Sequence, residues 1–222
     1  MSDSIEPSTR GPFVTLEGGE GAGKSLQAGA LTRRLEGAGV TVARTREPGG
    51  TPLGERLREV LLDLARTNTD LTPLTEALLF IAARAELVAR VIAPALEGGD
   101  AVVCDRFGDS TLAYQAYGRG VDIDLIERLN VAATRGLRPQ LTVLLDLPVE
   151  DGLARTGAEG RADRFGREER AFHERVRQGY QTLANREPDR WLVIDALQPP
   201  DAVTDAIWAR VEPLLAKAAR HS

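Results

Sequence analysis

The stretch Gly18-Gly19-Glu20-Gly21-Ala22-Gly23-Lys24-Ser25 constrains the fold more than any other part of the chain. It fits the pattern G-x-x-x-x-G-K-[ST], and its flanks fit too. The short apolar run Phe13-Val14-Thr15-Leu16-Glu17 before it has the look of a buried strand, and Leu26 to Leu35 after it reads as a helix. Strand, glycine loop and helix in that order predict a phosphate-binding turn. Glycines let the backbone curl until successive N–H groups face one anion. The helix N-terminus adds unpaired N–H groups and a favourable dipole. Lys24 has the reach for the β- and γ-phosphates, and Ser25 can offer its hydroxyl to Mg²⁺. A glycine-rich turn without a ligand is the alternative. The motif points to a nucleoside triphosphate and leaves its use open.

The other elements follow from apolar runs and breakers. Strands are predicted at Val40–Arg44, Ala101–Asp105, Leu141–Asp146 and Trp191–Asp195. Helices are predicted from about Leu53 to Leu64, Thr72 to Arg90, Asp122 to Arg135, Val149 to Arg155, Arg167 to Asn185 and Pro200 to Ala219. Thr72 suits a cap and Pro73 a first turn. The proline and glycines of Thr45–Thr51 predict a loop. Five apolar strands alternating with helices imply an α/β fold, a doubly wound parallel sheet covered on both faces. Ligands should then gather at the carboxyl edge of the sheet. Residues 1–11 read as a loose tail and 12–219 as one domain. The charged, glycine-containing segment Thr156–Gly166 is the candidate lid, because few apolar residues anchor it.

Charge and cysteine content limit the partners. A net charge of -5 gives no basic field for nucleic acid or a membrane surface. The lone Cys104 rules out an internal disulfide framework and a cysteine-rich zinc site. No apolar run approaches the roughly 18 residues of a membrane span, and Met1–Arg10 lacks the pattern of a secretory signal. The expectation is a soluble cytoplasmic protein.

Several side chains are placed to do chemistry. Asp105, ending a strand, either helps hold Mg²⁺ or caps the next element. Arg106 beside it offers a planar fork to phosphate. Arg46 lies in the loop after the second strand and either faces the same cleft or is a solvated charge. Phe80 and Arg84, four apart on a helix, share a face. They either grip a base or are a core aromatic beside a surface arginine. Arg155, Arg161 and Arg164 in or beside the lid either offset phosphoryl charge or are solvated.

Taken together, the motifs resemble those of the thymidylate kinases. The resemblance spans about Phe13 to Leu215. It rests on Glu17 to Ser25, Thr45-Arg46-Glu47-Pro48-Gly49-Gly50-Thr51, Leu79 to Arg84, Asp105-Arg106-Phe107-Gly108-Asp109-Ser110-Thr111-Leu112-Ala113-Tyr114-Gln115 and Asp163-Arg164-Phe165. It implies phosphorylation of dTMP by ATP with Mg²⁺, a P-loop kinase fold with a mobile lid, and a homodimer. By resemblance, Lys24 and Ser25 hold ATP phosphates and Mg²⁺, Glu17 and Asp105 organise metal and phosphates, and Gln198 borders adenine. Arg46 and Arg106 clamp the acceptor phosphate, and Glu20 approaches the 3′-hydroxyl. Phe80 stacks on thymine and Arg84 bonds its edge. Ser110, Thr111 and Gln115 line the base pocket, and Tyr114 selects deoxyribose.

The lid departs from the family pattern. Gly157 and Glu159 stand where relatives carry arginines, and Gly166 where a glutamate often stands. Glu20 in the glycine loop implies that the catalytic arginine comes from the lid, which leaves Arg155, Arg161 and Arg164 as candidates. Another nucleotide kinase on the same fold is the nearest rival. A nucleotide-dependent switch is the rival of another class, and the Asn-Lys-x-Asp string expected for guanine is absent.

Overall fold

The computed structural model describes residues 11–67, 71–158 and 170–218. Five parallel strands form one sheet in the order β2-β3-β1-β4-β5: β1 Phe13–Glu17, β2 Val42–Arg46, β3 Ala101–Asp105, β4 Leu141–Asp146 and β5 Trp191–Asp195. The central strand β1 is buried along its whole length, which is why its sequence is almost continuously apolar. β2 starts two residues later than predicted and runs through Arg46. It is an edge strand, half exposed, whose ends are set by pairing with β3 from Val42↔Ala101 to Arg46↔Asp105.

Alternation along the strands divides the core between two faces. Val14, Leu16, Val143 and Leu145 pack against Leu31 and Leu35 of α1 (Lys24–Gly37) and Ile207 and Val211 of the C-terminal helix. Leu144 and Trp191 face the other way, onto Ile81, Tyr114, Ile126, Phe172 and Tyr180. Phe13, Val102 and Cys104 share that side with Leu87, Ile92, Leu96 and Phe107.

The helices follow local chemistry. α2 (Pro52–Arg66) and α3 (Pro73–Leu87) each begin with a threonine whose side chain accepts from the first turn and a proline just inside. α3 does not stop near Arg90. It passes through a wide turn at Val88–Ile92 into α4 (Ala93–Gly98). Pro94 cannot donate a backbone hydrogen bond, and the widened turn absorbs that break while Leu87, Ile92 and Leu96 stay buried. A short helix α5 (Gly108–Thr111) and a second widened stretch at Leu112–Gly118 follow β3, an element not anticipated from the sequence. Then come α6 (Ile123–Thr134), α7 (Val149–Ala158), α8 (Arg170–Arg186) and α9 (Pro200–Ala218). α7 thus carries Thr156–Ala158, the first residues of the expected lid, as helix. The remainder of that segment lies outside the described residues, as do residues 1–10.

Candidate active site

The glycine loop joins β1 to α1 at the carboxyl edge of the sheet. Gly23 closes it in the left-handed region (φ 87°) as the residue before α1. Lys24 is buried and folds its Nζ back onto the carbonyls of Gly18 (3.1 Å) and Gly19 (2.7 Å). Burial lowers its pKa to about 8, helped by nearby Arg106 and opposed by Glu20, Asp105 and Glu17. An arriving polyphosphate supplies the negative charge that burial withholds, so the loop is primed for an anion.

Ser25 Oγ donates to Asp105 Oδ2 at 2.6 Å. A hydroxyl and a carboxylate are thereby brought together at the mouth of the phosphate loop, hard oxygen donors that suit Mg²⁺. Two of the three expected metal residues converge although they are far apart in sequence.

Arg106 follows β3 in the left-handed backbone conformation (φ 69°), with its N–H bonded to Leu16 O at 3.0 Å. Such a conformation is costly for an arginine and persists only where the surroundings fix it. Here Nη1 donates to Gly18 O, Ser110 Oγ and Tyr180 Oη at 3.1–3.2 Å. Nη2 donates to Glu20 Oε1 (2.8 Å) and Tyr114 Oη (3.2 Å). Burial alone would raise the Glu20 pKa, but Arg106 and Lys24 outweigh it and hold the carboxyl below its ordinary value.

Glu17, the third expected metal residue, bonds other partners. It is fully buried at the end of β1 and accepts from Phe107 N (2.7 Å), Ser110 Oγ (2.5 Å) and Tyr180 Oη (2.9 Å). Burial, with Asp109 nearby, pushes its pKa up to about 7. These bonds direct the carboxyl to the arginine side of the cleft, whereas Ser25 and Asp105 bond each other.

A cavity beside this arginine is lined by Glu20, Phe80, Arg84, Arg106, Ser110, Thr111, Tyr114 and Gln115. Eight residues expected to meet the acceptor therefore share one hollow. Arg84 is no surface arginine: it is 1% exposed. Its Nε and Nη2 grip Glu47 (2.6–3.1 Å), Nη2 also reaches Phe107 O and Thr111 Oγ1, and Nη1 donates to Asn130 Oδ1 at 2.6 Å. One N–H of Nη1 remains without an acceptor among the described residues, where a base edge could be met. Burial raises the Glu47 pKa and Arg84 opposes it. Arg46 stands at the same sheet edge, in register with Asp105, half exposed and paired with Glu55 at 3.0 Å. It is not among the residues lining the cavity. Gln115 is held by Glu76 at 2.8 Å.

On the other side of the glycine loop, Ala22, Gly23, Leu26, Arg155, Leu197 and Gln198 line a second concavity. Arg155 Nη1 donates to Gly21 O (3.3 Å) and Ala196 O (3.4 Å). Gln198 and the loop are thus neighbours. Arg161 and Arg164 lie outside the described residues.

Sequence reasoning missed Glu47, Asn130 and Tyr180. Glu47 was on view in its motif without a role. Asn130 and Tyr180 sit on helices with no local signal, and only the folded chain brings them to Arg84 and Arg106.

Most of the chain is similar to known proteins. The family model described as thymidylate kinase matches residues 16–207. Curated relatives named thymidylate kinase include one from Thermomicrobium roseum, 53% identical over 209 residues covering 94% of this chain and 98% of its own. Another, from Deinococcus radiodurans, is 51% identical over 203 residues, covering 91% and 97%. The crystal structure of thymidylate kinase from Ehrlichia chaffeensis superposes with a TM-score of 0.73 at 34% identity, over 91% of this chain and 98% of that one.

Proposed function

The chain belongs to the thymidylate kinase family and phosphorylates dTMP to dTDP, and on that premise we propose that the cleft described above performs the transfer directly from ATP. The observation that carries the assignment of residues is Arg106, held by five hydrogen bonds between the glycine loop and the cavity that contains Phe80, Arg84 and Tyr114.

An oxygen of the dTMP phosphate attacks the γ-phosphorus of ATP in line, and the bond to the β–γ bridging oxygen breaks, giving dTDP and ADP. The acceptor phosphate is largely ionised near neutral pH, so no strong base is required. Positioning and charge compensation do the work. The loop N–H groups and Lys24 take the donor phosphates. Arg106 takes the acceptor phosphate with Arg46 beside it. Phe80 stacks on the base, Arg84 and the Ser110–Thr111–Gln115 wall meet its edge, Glu20 meets the 3′-hydroxyl, and Tyr114 fills the space of a 2′-hydroxyl. Ser25 and Asp105 would hold Mg²⁺, which when bound supplies charge neutralisation at the phosphates, with Glu17 supporting from behind. Gln198 borders adenine. Arg155, Arg161 and Arg164 supply the remaining positive charge.

Leu53 and Val60 on α2, Leu74 and Leu78 on α3 and Val131 on α6 are large and exposed. These support a homodimer through those helices. No described helix is long and apolar enough to cross a membrane, and the enzyme is read as cytoplasmic, with one domain over 12–219; Gly11, expected outside it, is buried.

A coupled assay with ATP, Mg²⁺ and a panel of dTMP, dGMP, dCMP and UMP tests the reading. Turnover of another acceptor equal to that of dTMP would overturn it. Alanine at Arg155, Arg161 and Arg164 in turn tests the lid; full kcat in all three would remove lid arginines from catalysis.

A further inference from the structure

Tyr180 lies on the apolar face of α8, between Val176 and Leu183, and is 1% exposed. A face of that kind asks only for bulk, and phenylalanine would supply it. A buried hydroxyl is costly unless bonded, and the Tyr180 hydroxyl has three polar atoms within hydrogen-bond distance, donating its one proton to Glu17 and accepting from Arg106. It lies 2.9 Å from Glu17 Oε2, 2.8 Å from Ser110 Oγ and 3.2 Å from Arg106 Nη1.

Those partners are a carboxyl, a guanidinium and the serine between them. Among the described residues no ion pair joins Glu17 to Arg106 directly. Each reaches the other only through the hydroxyls of Tyr180 and Ser110. The guanidinium instead turns its Nη2 edge toward Glu20 and Tyr114, which line the acceptor cavity. A buried carboxylate and a guanidinium attract strongly where water is excluded. Something must keep them apart for Arg106 to face the cavity.

We propose that Tyr180 is a positioning residue for Arg106: its hydroxyl, wedged between Glu17 and Arg106, keeps the guanidinium aimed at the acceptor phosphate and prevents its closure onto Glu17. This rests on the reading that Arg106 receives the phosphate of dTMP. Tyr180 acts through Arg106 and touches no substrate.

The test is Tyr180→Phe, which keeps the ring and its edge contact with Tyr114, 6.3 Å between centroids. Tyr117→Phe is the control. Tyr117 packs against the same helix at Gly179, and its buried hydroxyl has no partner among the described residues. Steady-state constants for each substrate are measured well below the Tm of each variant, together with the rise in Tm on adding dTMP or ATP. Tyr180→Phe is expected to raise KM for dTMP about tenfold, the size of one hydrogen bond to a charged group. It should shrink the dTMP-induced Tm rise and leave KM for ATP and the ATP-induced rise unchanged, while Tyr117→Phe matches wild type. A wild-type KM for dTMP in Tyr180→Phe overturns the proposal. So does a parallel rise of both KM values with a lowered Tm, the mark of a purely structural tyrosine. If the wild-type enzyme itself turns over no dTMP, the functional reading fails before Tyr180 is reached.

Discussion

On the acceptor side of the cleft, Arg84 is sealed in with Glu47, Asn130 and Thr111, and Arg106 is held by side chains from three other elements. On the donor side, Lys24 and Arg155 bond only backbone carbonyls among the described residues, and the concavity beside the loop is lined mostly by small or apolar residues. On the proposed assignment the acceptor would be read by a preorganised set of side chains, each costly to misplace. The donor would be read largely by backbone, with cations that exchange their carbonyl partners for phosphate oxygens. On that reading, selectivity for the nucleotide that is phosphorylated belongs to the first half and grip on the phosphates that are moved to the second.

The contrast can be broken most directly at Arg84. Arg84→Ala leaves Glu47 buried without its counter-charge, and a loss of about 3–5 kcal/mol is expected, read as a large fall in Tm. A change of Tm within error would show that the acceptor side is not held by this pair. Arg106→Ala comes next. It should lower kcat/KM for dTMP by roughly 10²–10³, the scale of removing one preorganised charge donor, with a much smaller fall in Tm than Arg84→Ala. Equal effects on folding and rate would erase the distinction between holding the pocket and using it.

On the donor side, Gly21 has φ 69°, and a Cβ there would sit 2.5 Å from Gly152 O. Backbone strain of this kind costs about 1–3 kcal/mol. Gly21→Ala is expected to raise KM for ATP roughly tenfold while dTMP still stabilises the protein in a thermal melt. Equal weakening of both ligands would mean that the two halves are not separable.

The smallest effect belongs to Asp146 at the end of β4, between the halves. Hydrogen bonds from Arg177 (2.7 and 2.9 Å) hold its carboxyl below the usual range against the cost of burial. A lowered folded-state pKa stabilises above the unfolded value of 3.8 and is lost as pH falls through the folded value. Asp146→Asn should remove about 1 kcal/mol at neutral pH and lessen the decline in stability on acidification. Parallel pH–stability curves for the two proteins would argue against the pair.

Much of the architecture was legible because four strands are almost continuously apolar runs, with ends marked by a carboxylate or a polar turn. β1, β3, β4 and β5 fall where the sequence predicted them. β2 slipped by two residues because an edge strand alternates and carries arginines, and its limits come from pairing with β3. The helix after Arg106 was hidden by a glycine, an aspartate and a serine at its start, residues that locally favour turns. The glycine loop and Asp105–Arg106 announced themselves because phosphate chemistry demands particular residue types at fixed spacing. Glu47, Asn130 and Tyr180 did not, since a carboxylate in a loop and an asparagine or tyrosine on a helix are ordinary until the fold delivers them to a buried guanidinium.

The meeting of Gly21 with Gly152 has a consequence for how such a protein can change over time. A Cβ on Gly21 would strike the backbone at Gly152, and a Cβ on Gly152 would strike the carbonyl of Glu20. α7, which carries Arg155, thus rests on the phosphate loop with no side chain between them. Neither position can accept a larger residue first and wait for the other to compensate, because the obstacle in each case is main chain, which no substitution removes. A lineage drifting freely elsewhere remains pinned at these two sites. Any variant that fills one must move the whole helix, and Arg155 with it.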